Sequence, residues 1–429
     1  MTYVHSLMKR VDPGLLVLVV LLGLLVAVTQ PAQAQTLTTL YNFGSQTGDG
    51  AWPRSSLIMD KKGNLYGTTP FGGTGSSPAC NMPSYPGCGT AFKLAPPGKK
   101  GSSWTETVLY NFGSQYEYDV YPAAGLIMDA ERNLYGTTTG GDGAGGAQGT
   151  VFELTPTGVE TVLHAFTGEP EDGSAPTGQL IMDAQGNFYG TTTGGGPGGN
   201  GTVFKLAPDG AETLLHGFGF QQPGDGCTPY AGVIMDKKGN LYGTTWACGA
   251  YGYGTVFMVA PNGTETVLYN FNPYNGTDGF YPVGGVVIDK KGNLYGTTTR
   301  GGASCDCGTV FKLTPGKKGG AWTEILLHSF GNQSGDGSGP QAGLIMDKEG
   351  NLYGTTEFAG GGYDGGRGTV FKLSPTGTEA WLYSFCTQGG CPDGAYPYAS
   401  LIMDKKGNLY STTDGGGTYG YGTVFKLTP

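Results

Sequence analysis

The sequence predicts an all-β fold, a seven-bladed β-propeller of four-stranded antiparallel blades. Three observations predict it. A unit of four short segments recurs seven times, at intervals of 69, 54, 53, 53, 58 and 57 residues between its asparagines, from Asn64 to Asn408. Each segment is rich in aromatic and β-branched residues and is bounded by turn residues. The chain begins and ends with incomplete units that complement each other.

The first segment reads P-x-x-x-Φ-Φ-Φ-D and ends at Asp60, Asp129, Asp183, Asp236, Asp289, Asp347 and Asp404. The second, N-L-Y-G-T-T or a near variant, follows a D-K-K-G-N-type turn in which Gly63 can take the left-handed conformation of a tight hairpin. The third, G-T-V-F, comes after a long glycine-rich stretch. The fourth, E-T-V-L-Y-N-F, follows a P-x-G turn such as Pro261-Asn262-Gly263. A β-helix is the competing architecture, but its coils are usually much shorter than 53 residues. With the first segment innermost, Thr36 to Phe43 is an orphan outer strand and Gly422 to Leu427 lacks an outer partner. Their pairing closes the ring. Strand parity then puts the short D-K-K-G-N and P-x-G turns on one face. The long, variable loops lie on the other, where function usually resides.

Residues 1–34 read as an export signal. Lys9 and Arg10 precede the apolar run Leu15 to Val28, and Ala32-Gln33-Ala34 is an A-x-A cleavage site. An uncleaved anchor is the alternative, although the run is short for a span of about 20 residues. Cleavage leaves 35–429 as a single propeller domain. The signal carries one net positive charge, so the formal charge of −9 becomes −10. This acidic balance argues against a nucleic-acid surface. The 82 glycines follow no three-residue period, which excludes collagen, and 38% hydrophobic residues suffice for a core. The expectation is a monomer that is secreted or displayed at the cell surface, with the periplasm as an alternative and no transmembrane span after cleavage.

The repeat, as it stands in L-I-M-D-K-K-G-N-L-Y-G-T-T and G-T-V-F-K-L-x-P-x-G-x-E-T, resembles the GloVer tandem repeat of bacterial proteins. That family is described as choice-of-anchor because its members carry differing surface-anchoring segments. The resemblance spans Thr36 to Pro429. It implies an exported repeat protein, and it brings no catalytic residues with it. A looser similarity of blade pattern extends to NHL-type and lyase-type propellers.

Candidate site residues are sparse. His164, His216 and His328 exchange with tyrosine at one repeat position and read as packing residues with a polar tip. No H-E-x-x-H, phosphate loop or nucleophile elbow occurs. The Φ-Φ-Φ-D aspartates read as openers of Asx turns. A second aspartate ring, which includes Asp225 and Asp278, also reads as turns, with Ca²⁺ ligation as the functional alternative. An even count of eight cysteines in an exported chain points to disulfides. Local pairing gives Cys80–Cys88, Cys227–Cys248 and Cys386–Cys391, and leaves the state of Cys305 and Cys307 open. Loop residues that break the repeat read as a ligand face, with hydrophobic plugging of the loops against the rim as the alternative: Trp52, Tyr85, Trp246, Tyr251, Tyr253, Arg300, Glu357, Phe358, Tyr363, Arg367, Tyr419 and Tyr421. The sequence therefore favours a binding module for an extracellular glycan or protein. A polysaccharide lyase or hydrolase, with or without Ca²⁺ dependence, is the first alternative, and a structural cell-surface repeat protein is the second.

Overall fold

The structure is a computed structural model. It describes residues 35–429 except 83–84, 100, 116–118, 141–147, 171, 220–223, 304, 332–334 and 359–365. The export signal expected over 1–34 and the expected loop residue Tyr363 lie outside the described residues.

Seven four-stranded antiparallel sheets form among the described residues, each in the order innermost, second, third, outer. Blade one runs Ile58–Met59, Leu65–Thr69, Thr90–Ala95, Thr105–Asn111. Blade seven runs Ile402–Met403, Leu409–Thr413, Thr423–Thr428, and is completed by Thr36–Asn42 from the start of the chain. Thr36 faces Thr428 and Asn42 faces Thr423, so the expected closure is present.

The first hairpin of each blade is built by its aspartate. Asp60 Oδ1 accepts from the backbone N–H of Lys62 and Asn64, both at 2.9 Å. Its Oδ2 accepts from the Asn64 amide at 2.7 Å and from the Tyr66 hydroxyl at 3.2 Å. Gly63 closes the turn at φ +82°. This is the Asx turn that the sequence predicts.

Hydrophobic residues collect between blades. Among the described residues there are seven buried clusters, one per junction. Each centres on an edge-to-face pair that joins the end of one outer strand to the third strand of the next blade, as in Phe43–Phe92 at 5.2 Å and Phe112–Phe152 at 5.0 Å. The glycine of Y-G-T-T makes room for that second ring: a Cβ on Gly136 would lie 2.6 Å from Phe152 Cζ.

The loops sort by face as parity requires. The loop after one blade's outer strand pairs with the loop after the next blade's G-T-T, for example Gly226–Cys227 with Ala247–Cys248. Three disulfides match the expected pairs Cys80–Cys88, Cys227–Cys248 and Cys386–Cys391. Cys305 and Cys307, which spacing left open, are joined as well. No helix among the described residues is long and apolar enough to cross a membrane.

Candidate functional site

The loop face is organised by the residue before each loop proline. A residue in that position normally stays extended. Here it is left-handed in every blade: Trp52, Tyr121, Ala175, Thr228, Tyr281 and Tyr396 have φ between +51° and +60°, and Gly339 has +64°. Such a conformation costs a non-glycine residue about 1–3 kcal/mol and persists only where its surroundings hold it. Two backbone hydrogen bonds do so at six of the seven positions; at Trp52 the second has no donor, because Pro70 follows that blade's G-T-T. The N–H donates to the preceding blade, as from Tyr281 to the Tyr253 carbonyl at 3.0 Å and from Tyr396 to the Arg367 carbonyl at 2.7 Å. The C=O accepts from its own blade, as at Tyr281 from Thr299 at 3.2 Å. At those six positions the kinked residue therefore staples two blades together.

Four of the seven kinked residues are aromatic, and they gather the loop aromatics into groups. Trp246 stacks on Tyr281 at 5.0 Å and 25° and meets Tyr230 edge-on at 6.0 Å. Tyr253 lies 5.5 Å from Tyr281 and 5.3 Å from Phe280. Arg300 stands opposite Phe280 in a two-residue ladder and lies 3.9 Å from Asp306. The expected residues Trp246, Tyr253 and Arg300 are thus brought together across two neighbouring blades. Trp52 joins a different group, with Tyr421 at 5.1 Å and Phe71 at 5.7 Å. Arg367 lies over Tyr396, 5.1 Å from its centroid. Tyr251 and Tyr419 stand about half exposed, at 47% and 51%. Sequence reasoning missed Tyr121, Tyr281 and Tyr396. Aligning the repeats on the loop proline would have exposed that column.

Inside this rim opens the axial channel, a cavity of about 740 Å³ walled by the innermost strands. Its one charged lining residue among those described is Arg54. The mouth is asymmetric. Arg54 Nε donates to Asp414 at 2.7 Å, and its guanidinium lies 5.5 Å from the Tyr398 ring centroid. The Tyr398 hydroxyl donates to Glu357 at 2.6 Å, and the Gln341 amide donates to the same carboxylate at 2.9 Å. Burial, reinforced by the Glu357 carboxylate, pushes the Tyr398 phenol well above its usual range, so it stays protonated.

A further polar ring lies between the outer strands. The histidines pack edge-on against phenylalanine as expected, His216 on Phe218 at 4.8 Å, and their tips meet the second aspartate ring. His164 Nε2 is 3.2 Å from Asp172 and His216 Nε2 is 3.5 Å from Asp225. In the tyrosine copies the hydroxyl donates instead, from Tyr41 to Asp49 and from Tyr269 to Asp278, both at 2.8 Å. These aspartates also cap turns: Asp49 accepts from the N–H of Gly44, Ser45 and Gly50. The glutamate of the next blade's E-T-V-L segment approaches from the other side, a column whose role the sequence did not reveal. Burial, then the neighbouring aspartate's charge, pushes Glu106 and Glu324 up to about 7 and Glu160 to about 8.

The sequence profile of the Gloeobacter/Verrucomicrobia repeat matches residues 83–277 and 272–429. The chain belongs to the Gloeobacter/Verrucomicrobia repeat family. No curated protein matches this family member. Among solved structures, its fold is similar to PorZ, a bacterial surface component of the type-IX secretion system of Porphyromonas gingivalis. The two share 13% identity over 86% of this chain and 46% of that one, at a TM-score of 0.51. The Gloeobacter/Verrucomicrobia repeat chain thus spans about half the length of PorZ. A luciferin-regenerating enzyme shares 15% identity over 73% of this chain and 92% of its own, at a TM-score of 0.44.

Proposed function

We propose that this protein is an exported binding module that takes an extracellular glycan or another macromolecule on its loop face. The observation that carries the reading is the aromatic run Tyr230, Trp246, Tyr281 and Tyr253, held on inter-blade staples. Rings fixed in this way offer large contact area and lose little entropy on binding. Arg300, 43% exposed at its side chain, supplies a charge-assisted hydrogen bond to an acidic sugar or carboxylate. Export rests on the signal pattern of residues 1–34 and on the four disulfides, which persist in oxidising compartments. The test is a glycan array probed with wild type, Trp246→Ala and Lys237→Ala, the last lying in the exposed turn on the opposite face. The reading requires a signal that Trp246→Ala abolishes and Lys237→Ala preserves. A signal that follows Lys237 overturns it.

The Glu357, Tyr398 and Arg54 group favours a second reading, a propeller lyase or hydrolase acting at the channel mouth. Glu357 would be its general base. Depolymerisation of an acidic polysaccharide by wild type, lost in Glu357→Gln, would establish it. Turnover unchanged in Glu357→Gln would exclude this site.

A further inference from the structure

We propose that the junction of blades three and four holds a divalent transition-metal ion, best matched by Zn²⁺, bound by His216, Asp225 and Glu265. His216 ends the outer strand of blade three, Asp225 sits in the loop that follows, and Glu265 opens the outer strand of blade four. One donor atom from each lies within 4.8 Å of the other two. The side chains of His216 and Asp225 are 10% and 1% exposed. His216 Nε2, Asp225 Oδ1 and Glu265 Oε1 are all buried, and none makes a hydrogen bond among the described residues. The other Asp225 oxygen is already engaged, accepting from the Gly219 N–H at 3.1 Å.

Three buried donor atoms without a hydrogen bond among the described residues therefore lie within reach of one ion, an arrangement that is costly unless something fills it. With both carboxylates ionised, the site carries two negative charges beside one imidazole. A divalent cation balances them fully. The donor set also selects the ion. Ca²⁺ prefers six to eight oxygens, whereas Zn²⁺ accepts imidazole nitrogen with carboxylate oxygen. Ligands about 2.0–2.2 Å from a tetrahedral ion stand about 3.4 Å apart. His216 Nε2 and Asp225 Oδ1 are 3.5 Å apart. The edge contact with Phe218 fixes the imidazole plane, and the ion would tie two neighbouring blades together.

The ring contains its own comparison. His328, Asp336 and Glu379 repeat the donor set, with Nε2 3.2 Å from Asp336 and 3.9 Å from Glu379 and all three side chains at 10% exposure or less. His164 does not. Its partner Asp172 is saturated, with Oδ1 accepting from the Gly173 N–H and Oδ2 from the Thr167 N–H and hydroxyl, and both side chains are more exposed. His164 and Asp172 suffice as a simple pair. The tyrosine junctions offer no nitrogen donor.

The experiment uses protein stripped with chelator, dialysed against Zn²⁺ and assayed for bound metal. Apart from His5 in the signal region, the chain's histidines are the three just named, so background binding is small. Wild type should retain two equivalents, His216→Tyr and His328→Tyr one each, and His164→Tyr two. Tyrosine is the residue that sibling repeats place there, so the variants should fold. If His216→Tyr fails to fold, Glu265→Gln serves instead and should weaken one site about tenfold or more. No retained Zn²⁺ in wild type, stoichiometry indifferent to His216→Tyr, or an equal loss in His164→Tyr would each overturn the site. The outcome is independent of what binds the loop face.

Discussion

Leu37 stands directly opposite Leu427, so the start of the described chain supplies the outer strand of the blade in which the chain ends. Leu427 is fully buried in the junction cluster against which Leu37 and Tyr383 pack. Deleting residues 35–43 strips that strand and leaves Thr423–Thr428 as an open edge. The deletion should lower the melting temperature by many degrees and bring on aggregation, read by thermal scanning with light scattering. Unchanged melting would contradict the role of this pairing.

Trp246 depends on Tyr281 for its orientation, since the two rings stack at 5.0 Å. Trp246→Ala and Arg300→Ala should each weaken ligand binding about tenfold or more while stability moves by less than about 1 kcal/mol. Tyr281→Ala should weaken binding too, because it frees the Trp246 ring. Titration calorimetry alongside thermal melting separates the two effects. Loss of binding that tracks loss of melting temperature would reduce the aromatic run to a packing role.

Cys227 and Cys248 join the two strands of one loop ladder, 21 residues apart in sequence. Replacing both by serine should cost about 2–4 kcal/mol. Non-reducing peptide mapping of exported protein should show all four bonds. Free thiols at these positions would contradict the pairing.

Glu160 sets a pH dependence. It is 4% exposed, and burial followed by the charge of Asp119 pushes its carboxyl up to about 8. In the unfolded chain it loses its proton near pH 4.3. Between those values the folded state holds a proton that the unfolded state has lost. The wild type therefore loses stability from this group as pH rises from about 4.3 to 8. Glu160→Gln imitates the protonated form. It should match wild type at pH 4 and melt progressively higher than wild type toward pH 8. A constant difference across that range would show that the Glu160 charge is not the cause.

The blade pattern was legible because every turn is made by residues adjacent in sequence. Asp60 needs only Asn64 and Gly63 to form its hairpin, and the same arrangement recurs in the other copies, with Arg132 at φ +74° in the glycine's place in the second. The candidate site was less legible. Trp246, Tyr253 and Arg300 stood out by breaking the repeat, but Tyr281, which joins them, sits at a position that looked like ordinary pre-proline loop.

By itself, the sequence determined the number of blades, the strand order within each, the closure of the ring and the face from which the long loops emerge. All of these follow from local turn chemistry, the two-residue period of a strand and the need to cover sheet edges. The tertiary structure alone decided which side chains meet across a junction. Glu265 comes within reach of His216 and Asp225, 49 and 40 residues earlier in sequence, only because two twisted blades pack at a set angle around the axis. The left-handed staples arise in the same way. A strained backbone is tolerated at Tyr281 because hydrogen bonds from two different blades hold it there, and no local pattern encodes both.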